Sequence, residues 1–215
     1  MMFGKLAAAA RLAHKYEFSE VLRQATVHIR SLFPSKFQDW VDNEIKRAET
    51  LLPHDAIEAI ILFRSLSLNA MLPPAFYLAS QLHASTILEG TSRVDGVSVM
   101  LAPEDIARCL ELKGVCIKAS ATAHEAVFGA DTGKLCTRLF GSCSKALSAA
   151  GARCRSEALN GDPLGDVLGE FLEKAVADRS VKICDACRDK CEEIERDERE
   201  KFWSRLPRIV RDQQV

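Results

Sequence analysis

Two pairs of cysteines carry the strongest chemical signal in this 215-residue chain, Cys136-x6-Cys143 and Cys184-x2-Cys187. Thiolates are soft donors, and two pairs brought together would hold Zn²⁺ tetrahedrally through four sulfurs. The two-residue gap between Cys184 and Cys187 predicts both sulfurs on one edge of a helix. A centre of this kind would clamp the last helix onto one that starts near residue 136. The spacing departs from the commonest ligand pattern, because six residues separate the first pair and 40 separate the two pairs. The competing reading is packing, since unpaired cysteine is among the most buried residue types. Cys187, Cys191 and Ile194 form one apolar stripe, which favours that reading. Cys109 and Cys116 share a stripe with Ile106 and Leu110 and read as core, and Cys154 has no partner at a telling spacing.

Nucleophilic catalysis finds less support. The five histidines, His14, His28, His54, His83 and His124, allow Cys–His and Ser–His pairings, but no spacing singles one out. The chain has no Gly-x-Ser-x-Gly, no glycine-rich phosphate loop and no His-Glu-x-x-His; His124-Glu125 alone is not that motif. The expectation is a protein that is not an enzyme. A charge run from Arg188 to Lys201, with 12 of 14 residues charged, offers Glu192–Arg196, Glu195–Arg199 and Asp197–Lys201 as acid-first i,i+4 pairs on a solvated helix face. Phe202, Trp203 and Leu206 follow at core-like spacing and are expected to dock that helix end; an aromatic anchor for a partner is the alternative.

Composition narrows the class. The chain is 47% hydrophobic, enough to build a core, and its 11 Gly and 7 Pro are too few for a low-complexity sequence. With 29 Lys and Arg against 30 Asp and Glu the net charge is −1, which argues against a nucleic-acid partner. Apolar runs such as Ala59–Phe63 stop after five residues, far short of the about 20 that cross a bilayer. Arg11, His14 and Lys15 interrupt the N-terminal apolar stretch, which argues against a secretory signal; an amphipathic mitochondrial presequence is the alternative. The expected compartment is therefore intracellular and reducing, cytoplasm or nucleus, with the eight cysteines as thiols or ligands rather than disulfides.

The elements that must position these groups are helices almost throughout. Residues 6–16 are Ala- and Leu-rich. Phe18, Val21, Leu22, Ala25, Ile29, Leu32 and Phe33 trace an amphipathic stripe closed by Pro34. A short helix is expected around Trp40. Asp55 with Glu58 resembles a capping box ahead of Ile57–Phe63, and Asn69 is expected to end that helix. Pro73 and Pro74 open the next, which should present Phe76, Tyr77, Ala79, Leu82 and Ile87. Val94-Asp95-Gly96-Val97 reads as a tight turn in one short β-hairpin near residues 92–101. A long helix starts at Pro103, loosened at Gly114, and is followed by a loop over 129–133 and a helix over 136–157. A turn at Asn160–Pro163, a helix over 164–177 and a last helix over 184–205, ended by Pro207, complete an expected all-α, multi-helix array.

Three stretches carry a resemblance: Arg11–Tyr16 with Leu22 and Phe33-Pro34; Arg93–Gly96 leading to Glu104-Asp105-Ile106 and Cys109; and Ile183-Cys184-x2-Cys187 with Phe202–Pro207. In this order they resemble the C-terminal portion of fungal, mushroom-lineage BTB (POZ) domain-containing proteins. The resemblance implies a BACK-like helical array, with 1–33 as a remnant of the last BTB helices and 34–215 as the helical C-terminal region. It further implies that most of the BTB domain is missing, as in a truncated member or an incomplete gene product. The family implies a protein–protein interaction module, homo-oligomerisation, and in some members adaptor roles with ubiquitin-ligase scaffolds or transcription factors. The group's recurrent cysteines coincide with Cys136, Cys143, Cys184 and Cys187, which the resemblance connects to structural zinc.

Overall fold

A computed structural model describes the chain except for residues 1, 94, 132–135, 138–141, 161–165, 178–181 and 213–215 and the side chains of 157–160, 177 and 212. The described residues form eleven α-helices, one 3-10 turn and one two-stranded ribbon, the all-α array that the periodicity predicts. None of these helices is long and apolar enough to cross a membrane. The chain divides into two compact units, residues 1–113 with 206–215, and residues 114–205.

In the first unit, α1 (Phe3–Lys15) buries Phe3, Leu6, Ala7, Ala10 and Ala13 and packs on α2 (Ser19–Leu32). The α2 stripe is only partly used. Ala25, Ile29, Leu32 and Phe33 are buried, whereas Phe18 and Val21 at its start face solvent. Phe33 meets Phe3 and Phe63 edge-on, with ring centroids 5.6 and 5.0 Å apart, an arrangement that matches the positive ring edge to the negative face. Around Trp40 the chain forms two short helices, α3 (Phe37–Asp42) and α4 (Glu44–Thr50). The Arg47 guanidinium lies 3.5 Å over the indole and donates to the Trp40 carbonyl.

The helix α5 (Asp55–Ser65) lacks the expected capping box. Asp55 is its first residue and accepts a bond from the Leu52 N–H, while Glu58 turns away to Arg11 on α1 at 2.5 Å. A tertiary ion pair with a cation has displaced the local cap. The helix ends at Ser65, before Asn69, because Ser67 takes a left-handed φ of 55°; Asn69–Met71 then forms the 3-10 turn. The two prolines lie in the first turn of α6 (Leu72–Ser80), as expected. The helix predicted to run on to Ile87 breaks after Ser80. His83 restarts it as α7 (Ala84–Glu89), its Nδ1 accepting from the Ser85 N–H.

The hairpin is shorter than expected, with β1 (Thr91–Ser92) antiparallel to β2 (Ser98–Val99) and Thr91 opposite Val99. Gly90, at φ 80°, is required there, because a Cβ would lie 2.2 Å from the Val99 carbonyl oxygen. Val94 of the expected turn lies outside the described residues.

The long helix α8 (Pro103–Phe128) runs through Gly114 without a break. One interior glycine costs about 1 kcal/mol, too little to interrupt a helix with buried contacts on both sides of it. In the second unit, α9 (Ser142–Asn160) begins six residues later than expected, so Cys136 is not helical. The helix placed at 164–177 is only α10 (Phe171–Ala177), and 161–163 of the expected turn, like 132–133 of the expected loop, lie outside the described residues. The last helix, α11 (Asp185–Asp212), continues past Pro207. A proline there forfeits one backbone hydrogen bond, which burial of Leu206 and Val210 on either side offsets.

Candidate metal centre

Three local structures deliver four thiols to one place in the second unit. Cys143 is the second residue of α9 and is fully buried. Cys184 immediately precedes α11, and its carbonyl accepts the first helical bonds from the N–H groups of Cys187 and Arg188, at 3.1 and 3.0 Å. That capping geometry sets Cys187 one turn on, buried against Val127, Phe128 and Leu147 in the apolar core of the unit. Cys136 lies on non-helical backbone ahead of α9. The four Sγ atoms all lie within 4.8 Å of one another. A tetrahedron with metal–sulfur bonds of about 2.3 Å has edges of about 3.8 Å, so a contraction of about 1 Å would close the cluster around an ion.

The surroundings stabilise negative sulfur at one edge. The Cys184 backbone N–H donates to Cys143 Sγ at 3.3 Å. The Thr137 hydroxyl and backbone N–H both donate to Cys184, and with the Cys187 N–H they draw its thiol down to about 5. Burial dominates at Cys143 and pushes that thiol up, although the Cys184 N–H opposes the shift. Four sulfur donors with no open position are the arrangement of a structural rather than a catalytic metal site.

All four sequence-predicted ligands therefore come together, and the two readings of Cys187 hold at once: it is a core residue and a member of the cluster. The remaining cysteines are dispersed. Cys191 is buried, donates weakly to the Val127 carbonyl at 3.7 Å and is pushed up to about 11 by burial. Cys109 is pushed up to about 12 for the same reason, Cys116 is buried, and Cys154 borders the core. All eight are free thiols.

The histidines are spread over the fold. His14, His28 and His83 are exposed, and His54 is half-buried. His124 is buried, stacks on Phe171 at 3.9 Å and donates from Nδ1 to the Ser120 carbonyl at 2.8 Å. The charge run pairs differently from its i,i+4 pattern. Lys190–Glu193 and Lys201–Glu198 are i,i+3 pairs, and Arg199 reaches Glu170 at 3.3 Å. Glu195 is buried and accepts both the Phe171 and Leu172 N–H groups, at 2.8 and 2.9 Å, capping α10. Phe202, Trp203 and Leu206 are buried, so this helix end docks within its own fold.

Sequence reasoning missed two supporting residues, Thr137 and Glu195. A hydroxyl beside Cys136 hints at the first; nothing local marks the second, whose partners lie 24 and 23 residues away. No protein-family profile, curated protein or solved structure matches the chain.

Proposed function

We propose that this chain is a non-enzymatic helical module whose residues 114–205 are held together by one structural Zn²⁺ on Cys136, Cys143, Cys184 and Cys187. The convergence of the four Sγ atoms within 4.8 Å carries the reading. Zinc suits it because a d¹⁰ ion accepts tetrahedral sulfur without redox chemistry, and soft S₄ sets select zinc or iron. The ion would join the segment ahead of α9, the α9 N-terminus and the α11 N-terminus. Eight thiols without a disulfide fit a reducing compartment, cytoplasm or nucleus. Metal analysis of protein purified without added zinc tests the reading. One zinc per chain is expected, lost in the Cys184→Ser, Cys187→Ser double variant, with loss of stability on chelation. Metal-free protein that folds equally well rejects it.

A second reading, that the module acts by touching other proteins, rests on the surface of α1 and α2. Leu12, Tyr16, Phe18 and Val21 are all exposed there. Under the BTB resemblance this face belongs to residues 1–33, and adaptor contacts with ubiquitin-ligase scaffolds or transcription factors are its family-level expectation. Concentration-dependent self-association in sedimentation, abolished by Phe18→Ser with Val21→Ser, supports it. A monomer at every concentration counts against it.

A further inference from the structure

The thiol cluster is asymmetric in a way that a structural metal site does not require. Cys143 and Cys187 are fully buried, each fixed in the first turn of a helix. Cys136 and Cys184 are half-buried, and both lie on non-helical backbone. One edge of the cluster therefore meets solvent; the opposite edge is dry and held by two helices. Cysteine binds zinc as thiolate, so a filled site would present the Cys136 and Cys184 sulfurs to solvent in that form. A thiolate that solvent reaches is the species that attacks peroxide oxygen.

Resting on the zinc reading, we propose that the Cys136–Cys184 edge is an oxidation site for small hydroperoxides, at which disulfide formation ejects the metal. The Cys184 sulfur attacks the terminal peroxide oxygen. An S–O bond forms, the O–O bond breaks, and the departing alkoxide (hydroxide, for hydrogen peroxide) takes a proton from water. The Cys136 sulfur then attacks the Cys184 sulfur. The S–S bond forms as the S–O bond breaks, and hydroxide leaves as water after taking a second proton. Two thiolates have lost two electrons, and the peroxide has gained them. The metal keeps only Cys143 and Cys187, too few for a closed site, and departs as those sulfurs take up protons. Cys184–Cys187 is the pair that sequence spacing alone would choose. Its Cys187 is buried in the core, and an attacking peroxide or a relocating sulfur would have to disturb that packing.

The test uses the full-length, zinc-loaded protein treated with hydrogen peroxide, with released zinc followed by a chromogenic chelator and disulfides mapped by non-reducing tryptic mass spectrometry. The expected result is one zinc released per peroxide consumed, together with a cross-link between peptide 135–138 and peptide 183–188 placed on Cys184 by fragmentation. A reductant should reverse the link and restore zinc binding. Cys191→Ser, which leaves all four ligands in place, should release zinc with the same stoichiometry. A loop within 183–188, a link to the Cys143 peptide, or zinc retained under tenfold peroxide overturns this inference while leaving the zinc reading intact. Protein that never binds zinc overturns both.

Discussion

The two compact units build their interiors from different material. Among the described residues, the largest fully buried side chains all lie in the first unit: Tyr77, Phe3, Phe33, Phe63, Phe76 and several Ile and Leu of α2, α5, α7 and α8. Among the described residues of 114–205, the core cluster around the thiols has twelve buried members, of which three are cysteines and two are alanines. Apolar burial contributes about 25 cal/mol per Å², so an interior of small side chains gains less from it. Two of those three cysteines, Cys143 and Cys187, are members of the thiol cluster. The contrast teaches that the first unit gathers the largest fully buried side chains, whereas the second sets four clustered thiols into its core, where the proposed ion would add a cross-link.

The largest expected effect follows directly. Chelation of the zinc-loaded protein should strip amide protection from α9 and α10, because binding free energies of about 10–16 kcal/mol are typical where structural zinc and folding are coupled. Protection of α5 and α6 should persist. Hydrogen exchange read by mass spectrometry resolves the two sets, and uniform loss across both would break the comparison. Next in size is Phe63→Ala, which removes the ring that packs edge-on against Phe33 and leaves a cavity. It should cost about 3–5 kcal/mol by denaturant titration and leave zinc content unchanged.

A loss of similar order is expected at the α10 cap. Glu195→Ala leaves the Phe171 and Leu172 N–H groups buried without their acceptor, each worth about 1–3 kcal/mol. Glu195→Gln keeps an oxygen in place and should recover part of that loss. Equal damage from both variants would assign the effect to the charge rather than to the cap.

These residues mark what could be read in the sequence. The helical periodicity, the prolines opening α6 and the four converging cysteines were legible, because each depends on spacing within a segment or on ligand chemistry. Two of the failures share one cause: a tertiary partner outcompeted a local one. Glu58 was expected at its own helix cap and went to Arg11 on α1; Glu195 was expected beside Arg199 and went to the backbone of α10. Cys136 lies on non-helical backbone because α9 starts at Ser142, yet its sulfur still reaches the cluster. Ligand identity survived an error in secondary structure, since four sulfurs need proximity and not a shared helix.

His124 sharpens the comparison through pH. Burial first, opposed by its bond to the Ser120 carbonyl, lowers its titration below the ordinary 6.5. As pH falls through 6.5 the unfolded chain therefore takes up the proton first, and folding stability is lost. Glu195 has the opposite sign. Burial raises its carboxyl above the ordinary 4.5 despite its two N–H donors, so acidification just above 4.5 favours the folded state. Thermal melts from neutral pH down to about 5.5, the range in which histidine charges, should show a decline that His124→Phe reduces. An unchanged slope in the variant would remove His124 as its source.

The smallest effect is expected on the surface of the first unit. Arg23 and Glu20 are bonded at 2.6 Å on α2, and both side chains are more than half exposed. Arg23 first, then Gln24, draws the Glu20 carboxyl below its ordinary range. Solvent and salt screen such a pair, and ordering two long side chains offsets the attraction that remains. Arg23→Ala should therefore leave the melting temperature unchanged within error at physiological salt, and the Glu20 carboxyl should rise toward its ordinary range by NMR titration, with the Gln24 bond still holding it down. Reduction of the local shift without loss of stability is what a unit built on large buried side chains requires. A destabilisation as large as that of Glu195→Ala would instead show that exposed charge supports the first unit as strongly as a buried carboxylate supports the second.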